Sequence, residues 1–213
     1  TPFLMQLQTQ AMLDPQDLTR VGEQLLPLLQ RPQVIFSGLV FVALLIPLLE
    51  EAFKPLALWF FIKRNLTAAE GFSAGLLCGA AFALVESTTS ILAVPGEAWW
   101  FTIVGRVGTG LLHIVTTGLM GWALVSAWRD GKYVRVGVTY LVNVVVHGVW
   151  NLFAVMGALS ENFAAFNIEI PKLPTWIASA VMAAIFIMLL VGLFVMNRRL
   201  RQEPTPPAIP PLN

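Results

Sequence analysis

Residues 34–62 read VIFSGLVFVALLIPLLEEAFKPLALWFFI, and the fold turns on how that stretch is taken. On either side of Glu50, Glu51 and Lys54 lie the runs VIFSGLVFVALLIPLL and PLALWFFI. Each is too short to cross about 30 Å of hydrocarbon, which takes roughly 20 apolar residues. Read as one segment, bent at Pro47 or Pro55, the stretch becomes a membrane-spanning helix with charge in its interior. Working outward, runs of similar length follow at 71–94, 99–128, 134–156 and 174–197. Composition agrees, because the 213 residues are 57% hydrophobic and only 12% charged, with mean hydropathy +0.75. Soluble domains carry about 25% charge, so this chain cannot present a surface that water solvates all round.

The expected fold is all-α, a polytopic membrane helical bundle of about five transmembrane helices over 34–197. Residues 1–33 are expected on the outer surface as a polar segment with a short amphipathic helix, since Leu18, Val21, Leu25, Leu28 and Leu29 share a face. The remnant of an upstream span is the alternative there. The start at Thr1, with no charged-then-apolar leader pattern, is the expectation for a trimmed chain. Residues 198–213 read as a basic then Pro-rich disordered tail.

Of the 13 Lys and Arg, eight (Lys63, Arg64, Arg129, Lys132, Arg135, Arg198, Arg199 and Arg201) fall on one side of the five spans. By the positive-inside bias that side is cytoplasmic, which puts the N-terminus outside and the C-terminus inside. Trp99, Trp100, Trp128, Trp150 and Trp176 lie near span ends and read as interfacial belt residues. The loop 157–173 is expected to be a connector, with a lid over the outer mouth as the alternative. A net charge of +1 without a concentrated basic face argues against a nucleic-acid partner. The lone Cys78 supplies neither an internal disulfide nor a thiolate metal cluster.

Ionisable residues in hydrocarbon cost several kcal/mol each and mark functional sites facing the bundle interior. Here they are Glu50, Glu51 and Lys54 on the first span, Glu86 on the second, Arg106 and His113 on the third, and His147 with Asn151 on the fourth. At 1.5 Å rise per residue, Glu50, Glu86, His113 and His147 lie roughly 18, 22, 22 and 20 Å from the basic end of their helices. Four polar residues on four alternately directed helices thus share one layer, which implies a single intramembrane polar centre. Gly71, Ser73, Ala74, Gly75, Gly79, Ala80 and Ala81 on the second span would let helices approach closely around it. Arg106, roughly 33 Å up its span, is expected to anchor the helix at the outer interface or pair with a loop acid.

The motifs EEAFK at 50–54, FALVE at 82–86, RVGTGLLH at 106–113 and HGVWN at 147–151, in order on consecutive spans, resemble the PrsW family of intramembrane proteases. That family is related to the CPBP group, which includes the CAAX-processing proteases. The resemblance covers about residues 40–157. Two positions depart from the usual pattern: Ser87 follows Glu86 where Asn is common, and Asn151 stands where Asp is common.

The resemblance implies an intramembrane endopeptidase of a prokaryotic cell membrane, acting on a membrane-anchored protein substrate within the lipid bilayer. Glu50 or Glu51 would then be the base that activates water, with Lys54 able to pair with either. Glu86, His113 and His147 form one candidate set for a divalent metal such as zinc. In a metal-free alternative a carboxylate pair polarises water while His147 and Asn151 donate to the oxyanion. A transporter or proton-conducting protein using the same buried Glu and His residues, and a non-catalytic membrane binding protein, are the alternative functions. The layer lies beyond the midplane toward the outer face, which predicts cleavage near the outer juxtamembrane segment of the substrate.

Overall fold

The computed structural model describes residues 27–28, 31–62, 65–92, 99–162 and 174–202. Five helices follow in order: α1 (Pro32–Phe61), α2 (Ala68–Leu92), α3 (Trp99–Asp130), α4 (Tyr133–Asn162) and α5 (Thr175–Arg201). No strand occurs among the described residues, and each helix holds a stretch long and apolar enough to cross a membrane. The protein is therefore an all-α, multi-pass membrane bundle. The expected amphipathic helix, the candidate lid and the Pro-rich tail lie almost entirely outside the described residues.

α1 is one helical segment that departs twice from α winding. It is α-helical over Pro32–Val40, π-helical over Phe41–Leu45, α-helical again over Ile46–Phe53 and 3-10 over Lys54–Phe61. Prolines account for both changes. Pro47 offers no N–H to the carbonyl four residues back and its ring crowds that carbonyl, so the preceding turn widens. Pro55 likewise offers no N–H to the Glu51 carbonyl, and the helix around and beyond it winds tighter, as a 3-10 helix. Both prolines, rather than one, therefore shape the bend.

Helix α4 covers carbonyls along this weakened stretch. The Asn151 amide donates to the Val42 carbonyl at 3.1 Å and the Tyr140 hydroxyl to the Leu48 carbonyl at 2.8 Å. Gly148 sits so close to the Ala43 carbonyl that any Cβ there would collide with it. In hydrocarbon no water could satisfy these groups, so a neighbouring helix must.

α3 is the axis of the bundle, with 72% of its apolar stretch buried against 33% or less in the other four helices. α2 begins with a reciprocal cap in which the Glu70 carboxylate accepts the Thr67 N–H at 2.7 Å and the Thr67 hydroxyl accepts the Glu70 N–H at 3.2 Å. It then lies backbone to backbone on α3. A Cβ at Gly71, Gly75 or Gly79 would strike the carbonyls of Gly121, Thr117 and His113 respectively. Four residues up α2 thus correspond to four residues back along α3. Carried outward, the same alignment sets Glu86 opposite Arg106. The small residues do what their spacing suggested, allowing close helix approach.

α3 ends at Gly131, whose φ of +69° suits glycine and whose N–H caps the Ala127 carbonyl at 3.0 Å. The chain reverses there directly into α4. Leu112 and Val115 of α3, Trp150 of α4 and Leu189 of α5 form one buried cluster, and Leu58 of α1 packs with Met120 and Leu124 in another. Large apolar side chains such as Phe36, Phe60, Leu77, Val134 and Phe194 point outward, as they can in lipid. Trp150 is a correction to the aromatic-belt reading. It is buried, its indole N–H bonds the Thr109 hydroxyl at 3.1 Å, and its ring fills the space left by Gly108.

A buried carboxylate and histidine centre

The winding of α1 sets which of its polar side chains turn inward. Glu51 and Lys54, three residues apart across the change from α to 3-10 winding, are both buried, while the Glu50 side chain is 21% exposed. α3 contributes His113, wholly buried on the bundle axis, and α4 contributes His147, also buried. The two imidazoles meet edge to face, with ring centres 5.1 Å apart and planes at 73°.

Lys54 lies at the middle of the cluster. Its Nζ is 2.8 Å from Glu51 Oε1, 2.7 Å from His113 Nδ1, 3.3 Å from Glu50 Oε2 and 3.5 Å from His147 Nδ1. Glu51 Oε1 is bound a second time by His147 Nδ1 at 2.8 Å and approached by the Thr116 hydroxyl at 3.4 Å. Glu50 is held less closely. Its Oε2 is sealed from solvent yet makes no hydrogen bond, standing 3.7 Å from His147 Nε2. The Phe82 ring closes the cluster from α2, edge-on to His113 at 5.2 Å and 4.8 Å from the ammonium.

Glu86 lies at the level its depth suggested but faces another side of His113. It lies on the far side of His113, accepting from His113 Nε2 at 2.6 Å and from Arg106 Nη1 at 3.0 Å. Arg106 Nε also donates to the Ser87 hydroxyl at 3.2 Å. The acid that meets Arg106 is thus on α2 and not in a loop, because the glycine-set alignment of α2 on α3 brings the two together. Ser87, the departure from the usual motif, takes part in that pairing. Asn151 points to the bent stretch of α1 through its bond to the Val42 carbonyl.

Two further polar residues belong to the surroundings. The Asn143 amide, buried, donates to the Thr116 carbonyl at 2.7 Å, and the Thr117 hydroxyl is buried without a hydrogen-bond partner among the described residues. Thr116 follows His113 by three residues and Asn143 precedes His147 by four, so helical spacing placed both on the faces of the histidines. Neither is charged, so ionisability alone does not single them out.

The donor set suits a divalent ion. One ligand atom each from Glu50, His113 and His147 lie within 4.8 Å of one another. One carboxylate oxygen and two imidazole nitrogens are the ligand types of catalytic zinc with an open position. The unbonded Glu50 Oε2 is an acceptor that a cation would satisfy. Each imidazole is also backed by a carboxylate on its other nitrogen, Glu86 behind His113 and Glu51 behind His147. Such backing fixes ring orientation and raises ligand basicity. The candidate ligands are therefore Glu50, His113 and His147, with Glu86 behind the set rather than in it.

Residues 18–191 match the family model described as PrsW family intramembrane metalloprotease. No curated protein and no solved structure matches the chain. The matched range takes in all four motifs, every residue of the buried cluster and most of the five spanning helices. The chain belongs to the PrsW family of intramembrane metalloproteases.

Proposed function

The protein is an intramembrane peptidase by family, and we propose that Glu50 is the carboxylate at which it activates water. The observation that carries this is the contrast within the adjacent pair: Glu51 is tied to Lys54, His147 and Thr116, whereas Glu50 is partly exposed with one oxygen unbonded. A base must have a free lone pair and access to water. With His113 and His147, Glu50 would hold a divalent ion through its buried Oε2, leaving its other oxygen to meet water; the ion would supply Lewis acidity at the carbonyl and lower the pKa of water. Glu50 accepts the proton of the attacking water and returns it to the leaving amine. Glu86 and Glu51 orient the two imidazoles. Lys54 bridges the two adjacent glutamates, and its ammonium faces the centre where the oxyanion develops. Asn151 holds the bent stretch of α1, and hence Glu50, against α4.

The substrate in this reading is a membrane-anchored protein that enters the bilayer plane and is cut near the outer end of its span. Purified protein in proteoliposomes, with a panel of single-pass substrates, tests it. Glu50→Gln and His113→Ala should each lower cleavage by about 100-fold or more, and chelation should abolish wild-type cleavage until zinc is restored. Undiminished cleavage by Glu50→Gln would reject the assignment of the base, and full activity at zero bound metal would reject the ligand set.

A further inference from the structure

Far from the centre, at the end of the bundle where α3 turns into α4, four cations gather around a small cavity. It measures about 130 Å³, and Arg129, Lys132, Arg135 and Arg199 line it together with Ser126 and Trp122. At roughly 30 Å³ per water, that is room for a phosphate group. Asp130 is the one acid in the lining, and it is already engaged, with Arg129 Nε at 2.9 Å and Lys132 Nζ at 3.1 Å. Among the described residues of the lining, the four cations outnumber the one carboxylate, so the cavity carries net positive charge. Arg199 has no acidic partner among the described residues.

One wall is built in advance. Arg135 stacks over the Trp122 ring at 4.3 Å and donates from Nη1 to the Ser126 hydroxyl at 2.8 Å, so its guanidinium is fixed in plane while its remaining N–H groups stay available. The cavity draws on four elements that meet there, the start of α2, the end of α3, the start of α4 and the end of α5, so folding itself assembles it. Its level is that of the membrane–water boundary, because the apolar stretches of α3 and α5 end at Asp130 and Arg201. Basic pockets between helices at that level suit lipid headgroups.

We propose that this cavity is a binding site for a phosphate-bearing anion, and that the headgroup of an anionic phospholipid occupies it. Bound there, the lipid bridges α3, α4 and α5 at one end of the bundle. The site is separate from the peptidase centre and does not depend on how that centre works.

Native mass spectrometry of the intact protein released from nanodiscs tests the proposal. Nanodiscs are made with phosphatidylglycerol and phosphatidylcholine in equal parts, and a second arm titrates inorganic phosphate into lipid-free protein in neutral detergent. Wild type should retain one phosphatidylglycerol in preference to phosphatidylcholine. Arg135→Gln and Arg199→Gln should each weaken that preference about fivefold. Arg198→Gln, adjacent in sequence but outside the cavity, should leave it unchanged. Saturable binding of inorganic phosphate with no lipid preference would keep the anion site and overturn the lipid as its occupant. Equal retention of both lipids with no phosphate binding, or equal loss in Arg198→Gln, would overturn the site. Helical circular dichroism of each variant guards against misfolding, and Lys132→Gln gives a second route should Arg135→Gln fail to fold.

Discussion

Glu50 and Glu51 are neighbours with the same chemistry and opposite surroundings, and the difference should be measurable as stability. Glu51 is 1% exposed and is the partner of two buried groups, Lys54 and His147. Glu51→Gln leaves a buried ammonium short of its counter-charge, and breaking such a pair costs about 3–5 kcal/mol. Glu50→Gln keeps the 2.8 Å pair of Lys54 with Glu51 and gives up only the longer 3.3 Å approach of Lys54 to a partly exposed carboxylate, so its melting temperature should fall by less than that of Glu51→Gln. Thermal unfolding of both variants in the same detergent checks this, and equal destabilisation would contradict it. Lys54 leads to a second prediction, because its ammonium faces atoms of all three candidate ligands. Lys54→Met should melt below wild type without metal, while zinc raises its melting temperature by more than it raises that of wild type. Identical zinc shifts would show that lysine and ion do not share the same negative charge. Helical spacing could not separate Glu50 from Glu51, since both lie within reach of Lys54. What turns Glu51 inward and leaves Glu50 partly exposed is the winding of α1, which no pattern of apolar residues encodes.

Two devices at the level of whole helices hold the centre in place. The first is the close contact of α2 with α3. An alanine at Gly79 would push its Cβ into the His113 carbonyl, so Gly79→Ala should part the helices at the level of the active centre. Overpacking of this kind costs about 1–3 kcal/mol, and here it would also stretch the 2.6 Å contact between Glu86 and His113. Reduced thermal stability and reduced cleavage are expected together. Gly192→Ala on α5 is the control, since nothing lies within 4 Å of that site and losing a helical glycine gains about 0.5–1 kcal/mol. A Gly79→Ala protein as active as the control would show that the contact does not position Glu86. The second device is the bend of α1 at Pro47 and Pro55, with Asn151, Gly148 and Tyr140 of α4 covering its carbonyls. Five spans, the long first helix and the small-residue face of α2 were all readable from apolar runs, prolines and glycine spacing. The pairing of Glu86 with Arg106 was not, because it depends on the alignment of two helices, and single-helix depth put Arg106 at the membrane surface.

The whole molecule sets where in the bilayer the chemistry happens. Depth counted along each helix predicted one polar layer of Glu50, Glu86, His113 and His147, and the four do gather at one level: Glu86 bonds His113 at 2.6 Å, Glu50 stands 3.7 Å from His147, and Lys54 links Glu50 to both histidines. What depth could not supply was direction around each axis, which decides that Glu86 stands behind His113 and that Asn151 faces the bend. The layer also has a consequence for substrates. At 1.5 Å per residue His113 lies roughly 26 Å from the Asp130 end of α3, in a bilayer core of about 30 Å. Because α3 is longer than that core, the centre lies beyond the midplane on the side away from the basic cluster of Arg129, Lys132, Arg135 and Arg199. A scissile bond must reach that level, and a helix must unwind to expose its carbonyl to attack, which is easiest within a turn of its end. In a substrate series whose cleavable segment is shifted along the span one turn at a time, cleavage should peak between the midplane and the face opposite the basic cluster and fall on either side. Product masses locate each cut. In a Cys78→Ala background, Lys132→Cys labelled by an impermeant maleimide only from the cytoplasmic side would fix that face as the outer one. A peak at the basic end of the span would mean that substrates are cut where the buried centre cannot reach, and would exclude that centre as the site of hydrolysis.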